Sequence, residues 1–324
     1  MKNIIIVFGM AAMMSLAACK GGKTESVTEA EPLQMIRVDS YLLENDSVVV
    51  TDSLLPAVQF IDYLVNRSVT GDSSALTTYR ESKSFQVFAR DVKERFVAQD
   101  SVEKVLGAVD RNMKELTGKG IGKIYGLVNP YNVPVVTTDS TVMIGLNHYL
   151  GEDYDGYRGF ENYRVRAKRA AHLPYDVTEA RLVADYPMEE APDGTLLNEM
   201  LYWGAVVNIM NQVIPQSSLS ETLNLAPGEE EWLKSNTSNI WNAMIERQLL
   251  YSTNDDVADR LLYPAPKSFV INNEAPGMTG RYIGYLIVRS YLDKHPELTA
   301  ADMLSPEIYN SESTLINSGF TGKN

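Results

Sequence analysis

Histidine and carboxylate side chains are the residues of this sequence that could bind a metal ion or move protons. The chain of 324 residues holds three histidines, His148, His172 and His295. His172 precedes Asp176 by four residues, the spacing of two ligands on one helical face, but Pro174 between them predicts that this face is interrupted. No His-Glu-x-x-His segment occurs, so the helical zinc pair with its general base is missing. The pattern therefore predicts structural roles for the histidines, with no metal and no other cofactor.

Motifs for a catalytic nucleophile or a phosphate loop are also missing from the sequence. There is no Gly-x-Ser-x-Gly turn of the kind that exposes a catalytic serine. Gly118 and Gly120 precede a predicted strand instead of opening a helix, so they do not predict a phosphate site. Neighbours such as Glu152 and Asp153 could serve glycosidic chemistry, but chance pairs are expected among 42 acidic residues. The sequence therefore favours a protein that is not an enzyme.

The only cysteine, Cys19, ends a segment that is typical of a lipoprotein signal peptide. Lys2 gives a positive start, and the apolar run from Ile4 to Ala12 is shorter than the roughly 20 residues that span a bilayer. Leu-Ala-Ala-Cys at 16–19 resembles a lipobox, which implies cleavage before Cys19 and acyl chains such as palmitate on this cysteine. We therefore predict a signal peptide at 1–18 and an envelope membrane as the first partner. An ordinary secreted protein is the alternative.

Composition and charge set the remaining boundaries. Residues 19–35 start with a polar stretch that predicts a flexible tether, and residues 36–324 are long enough for a single globular domain. The net charge is −13, and it becomes −14 once residues 1–18 are removed, because Lys2 is their only charged residue. No basic stripe stands out, which excludes nucleic acid as an expected partner and disfavours direct adhesion to anionic lipid.

The hydrophobic pattern predicts an α+β fold that is mainly α-helical. Apolar residues at helical spacing predict helices within 54–65, 84–117, 160–173, 176–186, 195–214, 228–252 and 280–294. Apolar and β-branched runs predict strands at 121–128 and 141–147. Gly204 inside a good helix costs about 1 kcal/mol relative to alanine, which predicts the close approach of another backbone. Gly280 and Gly284 predict tight packing of the last long helix. We expect a small sheet packed with a helical body.

Four segments in series resemble the GldB family of gliding-motility-associated lipoproteins of the Bacteroidetes. They are IGLNHYLG at 144–151, LLNEMLYWG at 196–204, the tryptophan-containing stretch 232–252, and PG at 276–277 with GRYIGYLIVRSY at 280–291. Their order and spacing cover roughly residues 40 to 320. The resemblance implies an outer-membrane lipoprotein that acts through contacts with other envelope proteins, and it does not by itself imply a role in gliding. Surface-exported lipoproteins of that group tend to carry acidic residues after the lipidated cysteine. The basic Lys20 and Lys23 here favour a periplasm-facing location.

GldB proteins in turn look like distant relatives of zinc-dependent, gluzincin-like proteases. In those relatives a histidine motif lies on one helix and a glutamate before a glycine lies on a later helix. In this chain the place of that glutamate falls on Trp203, before Gly204, and the preceding helix has Glu179 and Asp185 but no histidine. The resemblance therefore implies a degenerate zincin-like scaffold, a pseudopeptidase without its metal site.

Five residues form the predicted candidate groove: Glu199, Trp203, Tyr282, Tyr285 and Arg289. The favoured hypothesis is a non-catalytic lipoprotein that acts through protein contacts.

Two alternatives to this hypothesis stay open. One is an active metal-dependent peptidase with unusual ligands, which needs His148 or His172 to converge with Glu179, Asp185 or Glu199. The other is a glycan- or peptide-binding lipoprotein that uses some of the 18 tyrosines.

Overall fold

The computed structural model describes residues 30–45, 49–131, 133–189, 191 and 194–323. The signal peptide, Cys19 and the first part of the predicted tether lie outside this range. The described part is an α+β structure, mainly helical, with one small sheet, as predicted. None of its helices is both long and apolar enough to cross a membrane.

The described residues form fourteen α-helices and four β-strands. The helices are α1 Val38–Glu44, α2 Leu55–Asn66, α3 Ser74–Glu81, α4 Lys83–Arg95, α5 Gln99–Thr117, α6 Asn162–Arg166, α7 Leu173–Asp185, α8 Leu196–Val213, α9 Leu219–Thr222, α10 Glu229–Glu246, α11 Asp255–Leu262, α12 Thr279–Lys294, α13 Pro306–Tyr309 and α14 Glu312–Ser318. The strands are β1 Met35–Arg37, β2 Lys123–Leu127, β3 Val135–Thr137 and β4 Thr141–Gly145.

The sheet has the order β1-β2-β4-β3, in which β1, β2 and β4 are parallel and β3 pairs antiparallel with β4. Every residue of β4 is buried, and only Lys123 of β2 is exposed. Parallel strands that are covered on both faces need such continuous apolar runs, which is why these two strands can be predicted from the sequence. Helix α7 packs against β3, which is one of the two edge strands of the sheet.

Helix α8 is the centre of the helical body, and almost every residue from Leu196 to Met210 is buried. Helix α12 crosses it where Gly204 meets Gly284. The sequence predicts a close backbone approach at Gly204 and tight packing of α12, but not that these two helices meet. A Cβ atom on Gly204 would lie 2.3 Å from the backbone carbon of Gly284, and one on Gly284 would lie 1.9 Å from the carbonyl oxygen of Met200. No side chain fits between the two backbones at this crossing, which explains the glycines that interrupt two otherwise strong helices.

Candidate functional site

His148 lies in a short 3-10 turn, residues 146–148, that follows the buried strand β4. The Asn147 side chain holds this turn through two hydrogen bonds: its Oδ1 accepts from the backbone N–H of Asn129 at 2.8 Å, and its Nδ2 donates to the carbonyl of Asn129 at 2.9 Å. Gly145 leaves space for the imidazole, since a Cβ there would lie 2.9 Å from His148 Cδ2. The ring of His148 is consequently fixed and only 7% exposed.

Lys168 is the polar partner of His148. Its Nζ lies 3.1 Å from His148 Nδ1, and the ammonium also lies over the rings of Tyr157 and Phe160, 5.0 and 5.4 Å from their centroids. Burial lowers the pKa of His148 to about 4, and the charge of Lys168 adds to this effect. The neutral imidazole therefore accepts a hydrogen bond from the lysine. Burial also lowers the pKa of Lys168, an effect that the charge of Asp176 partly offsets.

Helix α7 brings His172 and Asp176 to the same place. His172 is the residue before the helix, and Pro174 lies in the first turn, where a missing backbone N–H costs nothing. His172 Nε2 lies 3.5 Å from Asp176 Oδ1, and the Tyr149 hydroxyl donates to Asp176 Oδ2 at 2.7 Å. Burial raises the pKa of Asp176, whereas the opposing charge of His172 and the Tyr149 hydrogen bond lower it. The expectation that Pro174 would keep this pair apart was wrong, because proline is tolerated at a helix start.

These side chains surround one cavity of about 380 Å³, which we call the histidine pocket. Its polar lining includes His148, His172, Asp176, Lys168 and Arg164, and its aromatic lining includes Tyr149, Phe160, Tyr163 and Tyr175. Two buried nitrogens in it, Nε2 of His148 and Nδ1 of His172, have no hydrogen-bond partner within the described part of the chain. A concave, largely apolar cavity with a few polar groups is the usual form of a ligand site.

Glu179, one turn after Asp176, connects the pocket with α12 and α8. Arg281, which is 1% exposed, donates to Glu179 Oε2 at 2.8 Å and to the carbonyl of Leu262. The carbon centre of its guanidinium lies 3.6 Å from the ring centroid of Trp203. Trp203 also lines, with Asp176 and Glu179, a smaller cavity of about 250 Å³ beside β3. A buried cation thus lies between the carboxylate of α7 and the indole of α8.

The five predicted groove residues do not line one cavity. Tyr282, Tyr285 and Arg289 line a separate cavity of about 710 Å³ on the other side of α12. There the Tyr282 hydroxyl lies 2.8 Å from the Thr237 hydroxyl, and Arg289 donates to the Tyr285 hydroxyl at 3.2 Å. Trp203 lines the smaller cavity beside β3. Glu199 lies near Tyr263: burial raises the pKa of this tyrosine, the charge of Arg281 lowers it, and the charge of Glu199 raises it. The structure therefore brings together three of the five.

The ligands required for an unusual metal peptidase converge only in part. His148, His172 and Glu179 line the same pocket, but Asp185 pairs with Arg181 at the far end of α7. Among the described residues, no group of three or more His, Cys, Asp or Glu could hold a metal ion.

Two residues that line the pocket, Lys168 and Tyr149, were missed from the sequence, as was Arg281, which pairs with the pocket residue Glu179. For Lys168 a signal exists, because five of the twelve residues 158–169 are basic in an acidic chain. Tyr149 and Arg281 carry no comparable signal, since their partners Asp176 and Glu179 lie 27 and 102 residues away.

Comparison with known proteins identifies a family. The family model for the lipoproteins described as "Gliding motility protein GldB" matches residues 22–322, nearly the whole chain. No curated protein and no solved structure matches the chain.

Proposed function

Because this chain belongs to the family of the gliding motility protein GldB, we propose that it is a lipid-anchored accessory protein of gliding that binds another envelope protein without catalysis. In this proposal Cys19 carries the lipid, the protein faces the periplasm from the outer membrane, and the histidine pocket receives a segment of the partner. The pocket supports this role because its volume of about 380 Å³ accommodates one or two residues of a peptide.

The Arg281–Glu179 ion pair is the observation that carries the non-catalytic part of the proposal. A zinc peptidase needs carboxylate and imidazole groups that are free to bind the metal cation. Here the permanent cation of Arg281 already neutralises Glu179. Trp203, at the place that the resemblance assigns to a metal-binding glutamate, has no lone pair for a metal and stacks on the same guanidinium. A degenerate peptidase scaffold that is used for binding would explain why Arg281, Glu179 and Trp203 occupy the place of a metal site.

Site-specific photo-crosslinking in the cells that produce this protein tests the binding role. A photoreactive phenylalanine analogue replaces Phe160, an exposed residue of the pocket rim, in the full-length protein. The matched control carries it at Ile316, which is 75% exposed on α14 and lines none of the cavities described above. We expect one defined envelope protein to be joined to position 160 and not to position 316. Adducts that are equal at both positions, or absent from both, would contradict the proposal.

A second candidate function is hydrolysis with His172 as general base, and the His172–Asp176 contact favours it. Asp176 orients one nitrogen of the ring, while the other, Nδ1, has no partner within the described residues and lines the cavity. A base held in this way can take a proton from water. The full-length protein would then cleave peptides or esters, and His172→Gln, which keeps a polar group beside Asp176, would lose this activity while remaining folded at the assay temperature, as thermal unfolding would show. Binding without turnover in both proteins would eliminate this candidate.

A further inference from the structure

We propose that the histidine pocket recognises a carboxylate group of a peptide, through the ammonium of Lys168 and the guanidinium of Arg164. This inference rests on the proposed binding function and names the chemistry that the partner presents. The carboxylate belongs either to the chain terminus or to an acidic side chain.

The first argument is local charge. The chain has a net charge of −13, yet residues 158–169 hold five basic residues and one acidic residue, Glu161. This segment forms one wall of the pocket through Phe160, Tyr163, Arg164 and Lys168. A cationic wall on an acidic protein attracts anions to one place and repels them elsewhere.

The second argument is that the basic side chains of this segment differ in whether a carboxylate of the protein already pairs with them. Arg158 pairs with Asp155 at 2.7 Å, and Arg169 pairs with Glu221 at 2.7 Å. Arg164 has only a longer, exposed ion pair with Glu161 at 3.6 Å. Lys168 has no carboxylate within ion-pair distance among the described residues: its Nζ lies 3.1 Å from the neutral ring of His148, and the charge of Asp176 acts on it from further away. A half-buried ammonium without an anion is costly to desolvate, and a bound carboxylate would offset this cost.

The two acidic residues of the pocket leave this anion site open. Glu179 is neutralised by Arg281, and Asp176 accepts the Tyr149 hydrogen bond and faces His172. Nδ1 of His172 has no hydrogen-bond partner among the described residues. A peptide offers polar backbone groups to this nitrogen in the amide next to its carboxylate. Tyr163 and Tyr175 provide an apolar wall for the adjoining side chain.

Binding of small model compounds to the full-length protein tests the inference. The probes are N-acetylphenylalanine, which has a terminal carboxylate, its carboxamide, which has none, and N-acetylglutamic acid α-amide, which has only the side-chain carboxylate. We expect at least one of the two acids to bind at least tenfold more tightly than the carboxamide, because charge-assisted hydrogen bonds are worth about one factor of ten or more. The better acid identifies the source of the carboxylate. Equal binding of all three, or inorganic phosphate binding more tightly than both acids, would overturn the inference.

Substitutions assign the effect to the pocket. Lys168→Gln should weaken the better acid about tenfold, and Arg164→Gln, which alters an exposed side chain, should weaken it about threefold. The matched control is Arg158→Gln in the same segment, which removes a cation that does not line the pocket and should change the affinity less than twofold. If Arg158→Gln weakens binding as much as Lys168→Gln does, the recognition is a general charge effect and the inference fails.

One combined result separates this inference from the proposed function. If the partner still crosslinks at position 160 in the Lys168→Gln protein with unchanged yield, protein binding stands and carboxylate recognition fails. If no partner crosslinks in the unsubstituted protein but the acids bind as expected, the carboxylate site stands and the protein-binding function fails.

Discussion

At the scale of single residues, the buried charge of Arg281 is paired by Glu179, stacked on Trp203 and hydrogen-bonded to the carbonyl of Leu262. Removing either partner of a buried ion pair leaves the other charge uncompensated, which typically costs about 3 to 5 kcal/mol. Glu179 is one third exposed and can be partly hydrated, so the lower end of that range is expected.

We predict that Arg281→Met and Glu179→Gln each lower the free energy of unfolding by about 3 kcal/mol, measured by urea denaturation. The double variant should lose less than the sum of the two, because neither charge is then left alone. Arg158→Gln, which breaks an exposed ion pair with Asp155, serves as the control and should change stability by less than about 1 kcal/mol. Strict additivity in the double variant would show that the two side chains do not interact.

His148 makes a prediction about pH at the same scale. Burial holds its pKa at about 4 in the folded protein, below the ordinary value of 6.5, so the unfolded chain binds the proton more strongly. The stability that depends on the neutral ring is therefore complete above pH 6.5 and is lost as the pH falls towards 4.

We predict that this loss amounts to about 3 kcal/mol between pH 7 and pH 4, and that it is absent in His148→Asn. Asparagine keeps an oxygen for Lys168 but cannot take up a proton. The measurement is the free energy of unfolding at several pH values, taken as the difference between the two proteins so that the carboxylates cancel. The same acid loss in both proteins would contradict the prediction.

At the scale of the elements, the crossing of α8 and α12 depends on backbone contact at two glycines. Alanine would improve helix propensity by about 1 kcal/mol at each site, but its Cβ would collide with the opposing backbone. The collision is severe at Gly284 and Gly204, where the Cβ would lie 1.9 and 2.3 Å from backbone atoms. It is mild at Gly280, where the nearest atom, the carbonyl oxygen of Leu261, would be 3.0 Å away.

We predict that Gly284→Ala and Gly204→Ala each destabilise the protein by about 2 to 3 kcal/mol, with Gly284→Ala the more damaging. Gly280→Ala is the control in the same helix and should be nearly neutral, because its smaller strain is offset by the gain in propensity. Thermal unfolding of the three proteins measures the order. A Gly280→Ala protein that is the least stable of the three would show that backbone distance does not control the packing of α12.

The segment 160–173 shows where the reading of elements from the sequence was wrong. Its apolar spacing predicts one helix, but the structure has only α6, Asn162–Arg166, followed by a 3-10 turn at 170–172. Between them Arg169 forms a β-bridge with Leu150, and the N–H of Gly151 donates to the carbonyl of Lys168. This pairing with residues 150–151 took these backbone groups out of the helix, and it also placed Lys168 beside His148.

At the scale of the whole molecule, attachment to the membrane is the property that decides where any partner is met. Cys19 lies outside the described residues, so its role stays a prediction from the lipobox. Several acyl chains on one cysteine give stable anchoring, whereas the acidic body disfavours direct binding to anionic lipid.

We predict that the protein incorporates labelled palmitate and sediments with the membrane fraction, and that Cys19→Ser does neither. Cell fractionation with metabolic fatty-acid labelling measures both outcomes. A chain that carries no label, or a Cys19→Ser protein that stays with the membrane to the same extent, would contradict lipid anchoring at this residue.

The sequence by itself determined the class of the fold, the family and most of the long elements. Helical and strand periodicity is a local property, so α8, α12, β2 and β4 could be read from the apolar pattern. Close packing at Gly204 and at Gly284 could be inferred as well, because a glycine inside a strong helix needs a steric reason. That these two glycines meet each other could not.

Only the tertiary structure decided which side chains share a site. It placed His148 of the turn after β4, Lys168 of the loop after α6 and Asp176 of α7 around one cavity, and it left Tyr282 of α12 on another. No local pattern encodes these neighbours, since they depend on how α7 packs against the sheet and how α8 and α12 cross. When elements that are distant in sequence pack together, a few side chains of each come to lie side by side. In this way His148 of the turn after β4 and His172 at the start of α7 come to line one pocket.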